Sequence, residues 1–278
     1  MDILQAVVLG VVEGVTEFLP VSSTGHLTIT EKLLGLQVDD RGVTAFTAVI
    51  QFGAILSVVY YFRSDIARLL TAWVRGLTDR DARTSFDYRF AWYVIAGSIP
   101  IGLVGFFGQD LVAGPLRSLW VVAGGLVLWS GVMLFAEKRG TQKRTEQDLT
   151  LRDVVLVGLA QCIALVPGVS RSGATISAGL LLGVDRVTAT RLSFFLSVPA
   201  LGAAGVYEAI GASSEISATV GWVPTIVGTV VSFVVAYASV AWLLKFVAHH
   251  PITVFIGYRV VVGVLLAVAL TAGWITAT

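Results

Sequence analysis

A chain of 278 residues has room for one or two globular domains, but 56% hydrophobic residues, 13% charged ones and a mean hydropathy of +0.84 exclude a water-soluble composition and point to an integral membrane protein. Lys+Arg 19 against Asp+Glu 18 leaves a formal charge of +1, without the basic excess that binding nucleic acid requires. The single cysteine, Cys162, excludes an internal disulfide and reads as a small apolar filler, and three histidines are too few for a His-rich metal centre.

The first segment opens on Asp2 and carries Glu13 and Glu17 in an apolar body, which does not fit a cleaved signal peptide with a basic start. Residues 3 to 36 are apolar but interrupted by LPVSSTG, and 154 to 184 are interrupted in the same way by VPGVSRSG. Both predict broken, re-entrant helical hairpins, and their non-helical backbone at membrane depth has to line an interior site. Six uninterrupted stretches, 43 to 62, 91 to 108, 118 to 136, 192 to 208, 218 to 244 and 251 to 276, are long enough to cross about 30 Å of hydrocarbon as helices. Between them, SSE at 213 to 215 reads as a short surface loop, and His249 and His250 beside Pro251 as a helix boundary. The predicted fold is all-α: six transmembrane helices and two hairpins in a single membrane domain, 1–278.

The segment EKRGTQKRTEQDLTLRD, 137 to 153, divides the chain into halves 1–136 and 154–278 and reads as a solvated connector. Six Arg lie between 63 and 90, five Lys or Arg in the connector, and Arg186, Arg191 and Lys245 join them on one side, against Lys32, Arg41 and Arg117 on the other. The first side is therefore expected to be cytoplasmic, so that hairpin 1 enters from the extracytoplasmic face and hairpin 2 from the cytoplasm. Arg171 and Arg259 fall inside apolar segments.

Residues 10 to 35 align on 158 to 183 at a constant offset of 148: Gly10 with Gly158, Glu13 with Gln161, Ser22 with Ser170, Gly25 with Gly173, and LLG with LLG, while Pro20 and Pro167 miss by one position. Three spans separate the repeats, and an odd number reverses direction, so the halves are expected to have inverted topology with both breaks meeting near the midplane.

Glu13 and Glu17 are four residues apart and share a helix face. Two carboxylates so close in a low dielectric call for a basic group or a divalent cation, Mg²⁺ or Ca²⁺ rather than zinc. Arg171 is the only strong cation of the second hairpin and is suited to gripping two phosphate oxygens. Ser22, Ser23, Thr24 and His26 follow the acidic pair and offer a nucleophile, a base or acid, and hydroxyl donors; Ser22 and Thr24 also suit helix capping. Broken helices with these groups serve a transporter, an intramembrane enzyme or a lipid-binding protein, and composition and topology leave the three open.

VVEGVTEFLPVSSTGH and PGVSRSGAT resemble the two signature regions of the bacterial undecaprenyl-diphosphate phosphatases, also called bacitracin-resistance proteins, and the resemblance runs along essentially the whole chain. It implies hydrolysis of undecaprenyl diphosphate to the monophosphate and inorganic phosphate, recycling the lipid carrier of peptidoglycan synthesis in the plasma membrane. It also implies Mg²⁺ or Ca²⁺ dependence, bacitracin competing by sequestering the substrate, and an extracytoplasmic opening. Carried over residue by residue, the acidic motif falls on Glu13 and Glu17, the polar cluster on Ser22, Ser23, Thr24 and His26, and the arginine motif on Ser170, Arg171, Ser172 and Thr175. On this reading Glu13 and Glu17 hold the metal, one of them orienting a base, and Glu17 counts among the catalytic residues. Arg171 offsets the diphosphate charge, with Ser22, Thr24, Ser170, Ser172 and Thr175 as substrate donors. Ser23 is the expected nucleophile with His26 assisting proton transfer, while attack by water or by His26 stays open. A polyprenyl-phosphate flippase is the alternative function. The 29 glycines permit close helix contacts within one chain or across a homodimer.

Overall fold

The structure is a computed structural model that describes residues 1–38, 40–108, 116, 118–211 and 215–277. Arg117 and residues 213 and 214 of the SSE stretch lie outside the described residues.

Hairpin 1 consists of α1 (Ile3–Thr16) and α2 (Ser23–Leu33), followed by α3 (Arg41–Tyr61), α4 (Arg63–Thr78), α5 (Phe86–Phe107) and α6 (Leu119–Arg139). Hairpin 2 consists of α7 (Leu151–Ile163) and α8 (Arg171–Leu181), followed by α9 (Arg186–Gly211), α10 (Trp222–His249) and α11 (Thr253–Thr271). The starts are written in the sequence: the side chains of Asp2, Asp40, Ser85, Ser118 and Thr150 each accept a hydrogen bond from a first-turn N–H, and Asp2 with Gln5 and Thr150 with Asp153 form full capping boxes. Five helices, α3, α5, α6, α10 and α11, are long and apolar enough to cross a membrane, which makes this an all-α, multi-pass membrane protein. The expected stretch 192 to 208 lies inside α9, a helix of 26 residues whose first turns carry Arg186 and Arg191. The hairpin helices have 14, 11, 13 and 11 residues, and at about 1.5 Å rise per residue none reaches the roughly 30 Å of a hydrocarbon core alone.

Small residues set the deepest helix contacts. α1 packs on α10, and α7 packs on α5. A Cβ on Gly10 would stand 2.6 Å from the Gly228 carbonyl oxygen, and one on Gly158 would stand 2.0 Å from that of Gly97. Each hairpin therefore lies backbone to backbone against a long helix of the other half, as close-packed membrane helices do. α3 packs on both α9 and α10, and α6 on α11. A continuous core runs through Phe18, Phe62, Phe90, Phe194 and Phe195 between the halves.

Two segments differ from the sequence expectation. The basic stretch after residue 62 contains α4, one face of which exposes Leu70, Val74 and Leu77, so it is an amphipathic helix rather than only a loop. The connector is docked rather than simply solvated. Arg144 bonds both carboxylate oxygens of Asp153 and the carbonyls of Leu182 and Asp148, and Leu149 is buried. Glu137 pairs with Arg186, and Arg191 bridges Glu146 and Asp65. The sequence contains these charges but not their partners, which lie up to 126 residues apart.

Burial pushes the Asp153 carboxyl up, but Arg144 and the Thr150 hydroxyl and N–H outweigh it and bring the group down to about 2. A lowered folded-state pKa stabilises above the unfolded value of about 3.8 and is lost as pH falls through the folded one. Hydrogen exchange on residues 140 to 150 is therefore expected to stay slow at pH 5 and to accelerate between about pH 4 and pH 2, and Arg144→Met is expected to accelerate it already at pH 7. Gly158→Ala forces a methyl onto the Gly97 carbonyl and is expected to cost about 1–3 kcal/mol, read as a lower melting temperature in detergent. Gly131→Ala, with nothing within 4 Å of the added Cβ, serves as the control.

Candidate active site

The two breaks are built alike. After α1 the chain turns through residues 17–21, and after α7 through 164–169; neither Pro20 nor Pro167 supplies the N–H that would continue a helix. Each next helix is capped by a serine with φ of +77°: Ser22 accepts from the Gly25 N–H, and Ser170 from the Gly173 N–H. A side chain in this backbone region costs about 1–3 kcal/mol and persists only where surroundings impose it. Gly168, at φ +91°, also leaves no room, since a Cβ there would stand 2.3 Å from the Val122 carbonyl oxygen.

The breaks meet. The Gly168 N–H donates to the Ser22 hydroxyl at 3.1 Å, and the Ser172 hydroxyl donates to the Leu19 carbonyl at 2.9 Å. Arg259 on α11 completes the join. Its Nη1 donates to the Pro20 carbonyl at 3.0 Å, its Nη2 to those of Gly168 (2.9 Å) and Gly125 (3.2 Å), and its Nε to the Ser130 hydroxyl at 3.1 Å. The residue is fully buried, so a cation from the last span satisfies carbonyls of both breaks at once.

Beside this join lies a charged cluster. Glu17 is buried, and its Oε2 accepts from the Ser23 hydroxyl at 2.6 Å and from Gln51 Nε2 at 3.2 Å, while its Oε1 accepts from Arg171 Nη2 at 3.2 Å. Arg171 Nη1 donates to the Ser193 carbonyl at 3.0 Å, and the guanidinium stands over the Phe18 ring at 5.6 Å. Glu13, one turn before Glu17, interacts electrostatically with Glu17 and Arg171 and is fully buried with neither carboxylate oxygen hydrogen-bonded. The Nε of Arg171 is likewise buried and without a partner. Unpartnered polar atoms of both signs in one buried cluster leave binding capacity for a ligand that brings its own charges.

Of the residues expected from sequence, Glu13, Glu17, Ser23 and Arg171 are gathered here. Ser22, Ser170 and Ser172 are occupied in holding the breaks, with the Ser170 and Ser172 hydroxyls 3.1 Å apart, and the Thr175 hydroxyl lies 2.7 Å from that of Ser193. Thr24 is exposed, and none of the described hydrogen bonds joins its hydroxyl to the cluster. The partner of Ser23 is Glu17; His26 sits a turn away, its Nδ1 2.7 Å from the Ser22 carbonyl and its Nε2 2.7 Å from the Tyr258 hydroxyl. Gln51, Ser193, Tyr258 and Arg259 were not among the residues expected. A lone amide in an apolar span, at Gln51, and an arginine in another, at Arg259, were signals that could have been followed.

A divalent cation fits these residues. Glu13 offers two buried acceptor oxygens with no donor, beside a second carboxylate. Among the described residues no three His, Cys, Asp or Glu side chains gather, so other ligand positions would fall to water and phosphate oxygens, the usual arrangement for Mg²⁺.

The family model described as "Bacitracin resistance protein BacA" matches residues 6–265. The chain is 58% identical over 278 residues to "Undecaprenyl-diphosphatase 3" of Frankia casuarinae, covering 100% of both chains. It is 56% identical to "Undecaprenyl-diphosphatase" of Acidothermus cellulolyticus, again over 100% of both. It is 58% identical to "Undecaprenyl-diphosphatase 1" of Streptomyces coelicolor, over 96% of this chain and 95% of the relative.

Arg259→Met leaves three backbone carbonyls and one hydroxyl without their donor and is expected to destabilise the protein by about 3 kcal/mol or more. Arg259→Lys is expected to rescue little, because an ammonium is a point charge with three donors and lacks the wide fork. Thermal unfolding in detergent, followed by circular dichroism, checks both.

Proposed function

Because the chain belongs to the bacitracin resistance protein BacA family, we propose that it hydrolyses undecaprenyl diphosphate to undecaprenyl phosphate and inorganic phosphate, recycling the lipid carrier of peptidoglycan synthesis. The observation that carries this reading is Glu17, whose buried carboxylate touches a hydroxyl of its own hairpin, Ser23, and the guanidinium of the other, Arg171.

Phosphoanhydride hydrolysis needs oxygens held in place and their charge offset more than it needs elaborate covalent chemistry. Arg171, with a free Nε–H, grips the distal phosphate through charge-assisted bonds. Ser23 attacks the distal phosphorus while its proton passes to Glu17, the carboxylate already at 2.6 Å. The bridging P–O bond breaks and undecaprenyl phosphate leaves. Glu17 hands its proton to the departing lipid phosphate and, again a carboxylate, takes one from the water that attacks the phosphoserine; that proton passes to the serine oxygen as phosphate is released. His26, on the same helix but turned from Ser23 toward α11, exchanges protons with the lipid-side phosphate. Glu13 and Glu17 would hold a Mg²⁺ or Ca²⁺ ion, which when bound supplies positive charge against the phosphate oxygens.

On this reading both hairpins are re-entrant and α9 is the sixth span. The shared offset of 148, the equal φ of Ser22 and Ser170 and the matching crossings of α1 on α10 and α7 on α5 support an inverted repeat. Ion pairs tie α9 to α4 through Arg191 and Asp65, which also pairs with Arg68, and tie α9 to the connector through Arg191 with Glu146 and Arg186 with Glu137. That network supports a single cytoplasmic end and a site opening to the other side. The prenyl tail stays in the bilayer while its head reaches Arg171, avoiding a cost of about 0.8 kcal/mol for each CH₂ drawn into water. The matched halves also suit alternating access, so transbilayer movement of a polyprenyl phosphate is the second reading.

Purified protein in detergent is expected to release phosphate from undecaprenyl diphosphate with Mg²⁺ or Ca²⁺ and to stop with chelator. Folded Glu17→Gln and Arg171→Ala are each expected to lose at least about 100-fold, and excess bacitracin to suppress release. Folded wild type that moves the lipid but releases no phosphate in any metal would replace hydrolysis with the flippase.

A further inference from the structure

The Ser22 carbonyl can only accept, so the Nδ1 of His26, 2.7 Å away, carries the ring proton, and Nε2 is left as the acceptor. The Tyr258 hydroxyl, 2.7 Å from Nε2, is therefore the donor. The two rings also stack, with centroids 5.5 Å apart and planes 11° from parallel. Hydrogen bonds at both nitrogens and a flat partner on one face leave the imidazole one tautomer and one orientation. The phenol stands on α11 directly before Arg259, whose bonds to Pro20 and Gly168 fix that turn of helix to the break from which α2 starts. Two consecutive residues of α11 thus read hairpin 1: one holds its backbone, the other its histidine. Tyr258 is 48% exposed, and a phenol oxygen can accept a hydrogen bond as well as donate one. When the imidazole gains a proton, Nε2 becomes a donor, and the same phenol serves as acceptor by rotating its O–H.

We propose that Tyr258 is the positioning residue for His26, fixing its tautomer and ring plane and partnering Nε2 in both protonation states. The proposal rests on the hydrolase reading for the meaning of His26 but not for the contact itself.

The contact is read without substrate. With His249 and His250, exposed at the end of α10, changed to Asn, ¹⁵N-histidine labelling leaves His26 as the sole ring signal. The Nε2 resonance is expected to move downfield in Tyr258→Phe, toward that of an unbonded acceptor nitrogen. In phosphate-release assays Tyr258→Phe is expected to lower kcat about 10- to 100-fold with KM changed less than about twofold, as for the loss of a group that orients a functional side chain. In a His26→Ala background the same change is expected to alter kcat by less than about twofold, because the phenol acts through the imidazole. An unmoved Nε2 resonance, losses that multiply in the double variant, or an effect on KM alone would each overturn the proposal. A wild type that releases no phosphate would end the hydrolase reading and the positioning role with it. The resonance distinguishes that failure from an absent contact.

Discussion

A guanidinium that pairs with no carboxylate among the described residues, that of Arg259, holds this protein's interior together. A broken helix in a membrane leaves carbonyls facing a medium that offers no hydrogen bonds, and each one left bare costs free energy comparable to a large fraction of a domain's stability. Arg259 answers carbonyls from both breaks and from α6 with a single rigid fork. Burying its charge is itself costly, and four acceptors around one planar group offset that cost while fixing where the breaks lie. The unusual φ of Ser22 and Ser170, and the hydrogen bonds running from one break to the other, are sustained by that arrangement.

On this common scaffold the two halves carry opposite chemistry. At the shared offset Ser23 corresponds to Arg171, Glu13 to Gln161 and His26 to Ala174. The backbone turns are alike, so similar positions project toward one cluster, yet one half delivers carboxylates and a hydroxyl while the other delivers a guanidinium. Glu17 and Arg171 neutralise each other in part, whereas Glu13 remains without a hydrogen-bond donor. The cluster therefore sets two carboxyl groups against one guanidinium, a mixture that a ligand carrying both a cation and an anion would fit. A single symmetric site could not offer both.

The breaks, the long apolar helices and the acidic pair were legible from local pattern: interruptions by Pro, Gly and Ser, length against bilayer thickness, and charge where charge is expensive. Contacts set by tertiary packing were not. Nothing near position 259 says that its partners are at 20, 125 and 168, and the amide of Gln51 reaches Glu17 only because α3 lies beside α1. Hydroxyl proximity in sequence suggested that His26 would serve Ser23, but helix geometry turns the imidazole toward α11 while Ser23 faces back to Glu17. The connector resembled a solvated strand because its charges were counted one by one, whereas Arg144 spends its donors on Asp153 and on backbone carbonyls.

The distance in sequence between Pro20 and Arg259, 239 residues, has a meaning for the order in which the chain is made. Synthesis runs from the N-terminus, so hairpin 1 emerges with its break already formed by Pro20 but with the donor for that carbonyl not yet translated. Until α11 arrives, water, the insertion machinery or a shallower position in the bilayer has to satisfy it. Hairpin 1, made before α11, is thus fixed in place only after α11 has followed it, and a chain truncated before α11 would lose the piece that lets hairpin 1 settle.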